Sequence, residues 1–170
     1  MPMIWNMTEE EVRVYQKQME DKLVQEAVSS KVVTSADQAV VRDLLPATDL
    51  GDATEVWVQA GLVINTWNTT YNATLPSKKI FVVYGCKNSN ATPITTAIKF
   101  GLGAGPAKVK DIWGVEPAWL ELNTAGYSTE PLLYKKEEQF TFLQYANANG
   151  TDNVILLGLV CEPKGENVMQ

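Results

Sequence analysis

A chain of 170 residues, 45% apolar and 20% charged, carries enough hydrophobic side chain for one globular domain with its own core. A net charge of −6 and a pI near 4.7 argue against direct nucleic-acid binding, because neutralising phosphates needs clustered cations and the longest basic runs are the pairs Lys78-Lys79 and Lys135-Lys136. There is no histidine, which excludes Ser-His-Asp and Cys-His nucleophile arrangements and His-ligated metals.

The N-terminal stretch "MPMIWNMTEEEVRVYQKQ" has neither the basic nor the apolar region of a signal peptide. The longest apolar run, Val154 to Cys161, is of strand length, well short of the ~18 residues of a membrane helix. These features lead to the expectation of a soluble protein made in a cytoplasm and not attached to a membrane. The first element is a helix. Thr8 stands where an N-cap belongs, and Glu11 follows at capping-box spacing. Val12, Tyr15, Met19, Leu23 and Ala27 recur at steps of three and four, giving one narrow apolar stripe on a charged helix. Such a helix packs along one edge, either as an appendage that meets a partner or on its own domain.

After Ser30 the pattern changes to short runs rich in Val, Ile, Thr and rings, bounded by Gly, Pro, Asn or Asp. Strands are expected in "KVVTS", "QAVVRDL", "TEVWVQAGLVINTW", "KKIFVVYGC", "ITTAIKFGL", "AWLELN", "PLLY", "EEQFTFLQYAN" and "NVILLGLVCEP". The last is continuously apolar and reads as a central strand covered on both faces. "NANGTDN" before it carries the Asn-Gly signal of a hairpin loop. The fold expected is mainly β, an antiparallel β-sandwich or jelly-roll barrel with an N-terminal α-helix and extended arm. Its segments are residues 1–30 (arm and amphipathic helix), 31–54 (extended linker and first strand), 55–164 (β body) and 165–170 (polar tail).

The charged stretch "VVRDLLPATDLGDATEVWV" raises the question of a metal loop. Asp49, Asp52 and Glu55 are spaced three apart, unlike the alternating acids of an EF-hand. The reading adopted is a turn over Pro46 to Asp52, followed by a strand that begins at Glu55 and keeps that acid on its solvent face. The G-x-G-x-G of "FGLGAGPAKVKDIWG" lacks a following helix and so reads as a loop between strands, not a phosphate cradle. Asn6, Asn68, Asn72, Asn90 and Asn149 each begin an N-x-T triplet, taken here as loop and strand-face polarity in the absence of a leader. Cys86 and Cys161 lie in apolar runs and read as buried small hydrophobes, a disulfide depending on whether their strands are neighbours. Trp5, Trp57, Trp67, Trp113 and Trp119 serve either as core and interface anchors or as a sugar-stacking platform. Acids are plentiful, including Asp111, Glu116, Glu121, Glu130, Glu137 and Glu138, but none pairs in a recognisably poised way. No catalytic residue, metal site or cofactor is expected.

In architecture and texture the chain resembles small structural proteins of double-stranded DNA phage virions, namely capsid decoration (cement) proteins and single jelly-roll coat proteins. The similarity rests on the helical arm, on "AVVRDLLPATDLG" leading into the sheet, and on "FLQYANANGTDNVILLGLVCEP" as a final hairpin. It implies a non-enzymatic role in a virion assembled in the host cytoplasm, with the major capsid protein as partner and homo-oligomers, often trimers. The residues expected to be buried against partners are Met3, Ile4, Trp5, Val12, Tyr15, Met19 and Leu23. A carbohydrate- or receptor-binding β-sandwich is the alternative.

Overall fold

A computed structural model describes residues 3–103, 108–115 and 124–165. The strand expected over 118–123, with Trp119, Glu116 and Glu121, lies outside these residues, as do Gly105, Pro106 and most of the polar tail.

The protein is mainly β, an antiparallel sandwich-like arrangement with an N-terminal helix, and the described residues form no closed barrel. In chain order the elements are β1 (Met3–Ile4), α1 (Glu9–Ser29), a 3-10 turn (Ala36–Gln38), β2 (Ala39–Asp43), α2 (Pro46–Leu50), β3 (Gln59–Leu62), β4 (Trp67–Thr74), β5 (Ile80–Asn88), β6 (Thr95–Leu102), β7 (Lys108–Gly114), β8 (Gly126–Tyr134), β9 (Gln139–Ala146), β10 (Gly150–Asp152) and β11 (Val154–Pro163). One sheet has the order β1-β8-β5-β11-β2, the other β4-β9-β6-β7, and β10 pairs with β3 as a small ribbon.

Three layers result. Between the sheets lie Phe81, Val83, Leu132, Tyr134, Leu156 and Val160 from one side, facing Tyr71, Ile98, Phe100, Trp113, Phe140 and Phe142 from the other. On the opposite face of the first sheet, Ile80, Val82 and Cys161 meet Leu23 and Ala27 of α1, and Tyr84 and Tyr127 meet Met19. Both faces of β5 and β11 are thus covered, which is why these two strands are mostly apolar. The helix begins as its sequence predicts: the Thr8 side chain accepts from the Glu11 N–H, and the Glu11 carboxylate accepts from the Thr8 N–H at 2.7 Å.

Several sequence expectations are corrected. Pro46 to Asp52 is not a plain turn: Pro46 opens the five-residue helix α2, and Gly51 closes it with φ 74°, a left-handed conformation that glycine adopts without strain. Glu55 to Val58 is not a strand, and β3 starts only at Gln59. Glu55 is instead held by Thr48, whose N–H and hydroxyl both donate to its carboxylate. "KVVTS" forms bends, with Val32 and Val33 buried under the helix end. Phe142 to Pro163 is not a hairpin, because β9 and β11 belong to different sheets and the chain crosses between them through β10. β4, "WNTTYNAT", is an additional strand. Val40 and Val41 are extended within β2, as expected.

Candidate interaction surface

The seven residues expected to meet partners divide into two groups. Met19 (5% exposed) and Leu23 (1%) are covered by the chain's own sheet, and Val12 and Tyr15 are half-buried beside them. The Tyr15 hydroxyl donates to the Ser128 carbonyl at 2.7 Å, and its ring packs edge-on against Tyr84 and Tyr127. Burial in this tyrosine cluster pushes the Tyr15 pKa well above its ordinary value. The helix is therefore a third layer of the body rather than a free appendage.

The arm is seated as well, but less completely. Met3 pairs with Ser128 and Ile4 with Tyr127, extending the sheet at the β8 edge. Trp5 lies directly over Gly126, where a Cβ would come within 2.6 Å of its ring. Gly126 in turn approaches Gly85 so closely that a Cβ on Gly85 would clash with the Gly126 carbonyl. Two glycines thus bring the backbones of β5 and β8 together and leave room for one indole on top. Of the expected seven, Ile4 (45%) remains exposed, and Val14 (55%), outside the expected stripe, is exposed beside it. They border an open depression of about 730 Å³ at the junction of arm and helix, whose rim includes Glu10 and Glu11. This apolar, acid-rimmed hollow is the part of the expected surface still free to meet another molecule.

Sequence reasoning missed further exposed apolar residues: Val56, Val58, Val63 and Ile64 around β3, and Val109 and Ile112 on β7. The last two lie on β7, at the end of its sheet, in a stretch whose sequence reads as a loop between strands. The first four were read as part of a single strand.

Of the acids in the stretch from Val40 to Val58, Asp49 enters a buried ion cluster, while Asp52 and Glu55 bond locally to Ala53 and Thr48. Arg42 of β2 donates through Nη1 and Nη2 to both Asp49 oxygens at 2.8 Å, and through Nε to Glu162 of β11 at 2.9 Å. Lys79 Nζ and the Leu45 N–H also donate to Asp49, whose side chain is fully buried. Burial opposes ionisation of Asp49, but these donors outweigh it and hold the carboxyl below its usual range. The cluster carries two cations and two anions, so it closes electrically and ties α2 to the sheet. Among the described residues there is no group of His, Cys, Asp and Glu arranged to hold a metal ion.

The cysteines sit on neighbouring strands, but the register sets Cys86 opposite Leu156 and Cys161 opposite Ile80, and both are free thiols. Burial raises both thiol pKa values, that of Cys161 to about 11. Three N-x-T asparagines of the body act as backbone partners, while Asn72 accepts from the Gln139 side chain. Asn68 bonds Val63, Thr66 and Gln144, Asn90 bonds Thr92 and Thr151, and Asn149 accepts from Ile64.

No known family model matches the sequence, and a comparison with curated proteins returns no relative.

Proposed function

We propose that the protein is a virion structural component, a capsid decoration (cement) or minor capsid protein that stabilises the shell by bridging neighbouring capsid subunits. The observation that carries this reading is the exposed Ile4 and Val14 pair in the acid-rimmed hollow where the arm meets the helix. It is mounted on a body whose ion cluster and arm seat are already closed by the chain's own residues. A complementary partner presents an apolar projection flanked by cations, and the major capsid protein is the partner the reading names. Repetition of one modest contact around a symmetric shell gives avidity that a single copy lacks.

The alternative of a sugar-binding platform has less support, because the four Trp residues among the described residues are each engaged. Trp5 covers Gly126, Trp57 packs edge-on to Tyr71, Lys99 Nζ sits 4.1 Å over the Trp67 ring, and Trp113 is buried beside Phe100.

The test is light scattering of the protein mixed with its major capsid protein, using wild type and a double variant, Ile4→Glu with Val14→Glu. Both positions are exposed, so the variant folds. The reading predicts a complex for wild type and none for the variant. Equal behaviour of the two removes this surface from the interaction, and a positive glycan array would favour the alternative.

A further inference from the structure

The geometry points to a second site, and we propose that the edge of β11 at Leu156 binds a carboxamide, namely an Asn or Gln side chain presented by a partner protein. This site is independent of the virion reading.

Backbone groups along a strand face alternate neighbours. The Asn153 carbonyl faces β5, where it accepts from the Ser89 N–H. Val154 therefore faces the other edge, and Leu156 and Gly158 share its direction. At Gly158 that edge is occupied by the chain following β2, since the Leu44 N–H donates to the Gly158 carbonyl at 3.0 Å. In the β2 register, with Asp43 opposite Leu159, the position facing Leu156 falls to Pro46. Pro46 has no N–H and opens α2, so the chain turns off the edge before reaching that rung.

One rung further, at Val154, the edge is closed by a side chain. The Gln59 Nε2 donates to the Val154 carbonyl at 3.0 Å, and its Oε1 accepts from the Val154 N–H at 2.9 Å. A carboxamide thus replaces a strand residue, bonding both backbone groups of one residue. Between Leu44 and Gln59, the Leu156 N–H and carbonyl have no partner among the described residues. Leu156 lines a cavity of about 340 Å³ whose walls also include Leu45, Trp57 and Leu157.

The occupant follows from the donor and acceptor set. The slot offers one N–H and one carbonyl, and Leu45 and Gln59 close its two ends, so a through-running strand does not fit. A carboxylate has no proton for the Leu156 carbonyl, and an ammonium has no acceptor for the N–H. A primary carboxamide supplies both, as Gln59 does on the neighbouring rung. Asp43 and Lys87, also lining the cavity, carry opposite charges. They favour a neutral inserted group on a segment with a cation on the Asp43 side and an anion on the Lys87 side.

The experiment is amide NMR of the full chain, titrated with acetyl-Ala-Gln-Ala-N-methylamide and with the Glu analogue as control. In the free protein the Leu156 amide should exchange faster than those of Ile155 and Leu157, which face β5. Protection equal to theirs overturns the proposal at its premise. The Gln peptide should saturably shift the Leu156 amide and the Trp57 indole, and slow Leu156 exchange by up to about tenfold, the range of one net hydrogen bond. No shift, or an equal shift with the Glu peptide, refutes the proposal. Trp57→Ala removes a wall and should weaken the Gln response while leaving the rest of the spectrum folded. An unchanged response places binding elsewhere and refutes it too.

Discussion

Replacing Asp49 with Asn removes one charge from the Arg42–Asp49–Lys79–Glu162 cluster while keeping the shape of the side chain. The wild-type carboxylate receives both Arg42 terminal nitrogens, Lys79 and the Leu45 N–H, all within 2.9 Å. An amide presents its own N–H groups to one side of these donors and leaves two cations facing a single anion. Breaking a buried pair from one side costs about 3–5 kcal/mol. Arg42 keeps Glu162, which places the expected loss near the lower end, about 3 kcal/mol. With urea slopes of about 1–3 kcal/mol per molar, the midpoint should fall by about 1–3 M. Asp52→Asn is the control, because Asp52 accepts only from the next N–H, that of Ala53, and its change should stay within about 0.5 kcal/mol.

The same pair of proteins fixes the pH dependence. Asp49 is depressed below its ordinary value of 3.8, so its contribution is complete above that pH and is lost as the pH falls through the lower folded value. The gap between wild type and Asp49→Asn should therefore be constant at neutral pH and narrow in the acid range below about 4. A loss under about 1 kcal/mol, the scale of an exposed pair, would refute the view that this cluster anchors α2.

Three further outcomes are expected. Gly126→Ala should drive Trp5 off its seat, visible as a change in Trp emission and as protease access at residues 3–7, at a cost of about 1–3 kcal/mol with the sandwich intact; an unchanged arm contradicts the seat. Leu23→Ala should cost about 2–5 kcal/mol, since the side chain is buried between helix and sheet, and a surface-like value would mean that α1 detaches freely. Neither Cys86 nor Cys161 should react with a thiol reagent at pH 8 until the chain unfolds, and fast labelling of the native protein would contradict their burial.

Local signals in the sequence were legible because they depend on near neighbours. Thr8 and Glu11 marked the start of α1, the 3–4 spacing marked its buried stripe, and the unbroken apolar run marked β11 as a strand covered on both faces. β4 escaped because Asn and Thr fill most of its positions and only Tyr71 is fully buried. α2 had both of its markers, Pro46 at the front and Gly51 behind, but five residues are too few to show helical periodicity. The ion cluster was out of reach for a different reason. Arg42 and Asp49 are close in sequence, but Lys79 and Glu162 join them only through sheet order, which no local pattern encodes. The crossing from β9 to β11 was hidden in the same way: an Asn-Gly turn between two strands fits a hairpin and an inter-sheet connection equally well. The open rung at Leu156 is likewise a property of register, visible only once β2, Pro46 and Gln59 are placed against β11.

The central claim is that this chain is a shell-binding component acting through the Ile4 and Val14 surface. Under the proposed virion role, co-sedimentation with mature heads of a double-stranded DNA phage that encodes the chain tests it most directly. The account predicts saturable binding at a fixed number of copies per head, abolished by Ile4→Glu with Val14→Glu. Wild-type protein that stays in the supernatant at every concentration would contradict it.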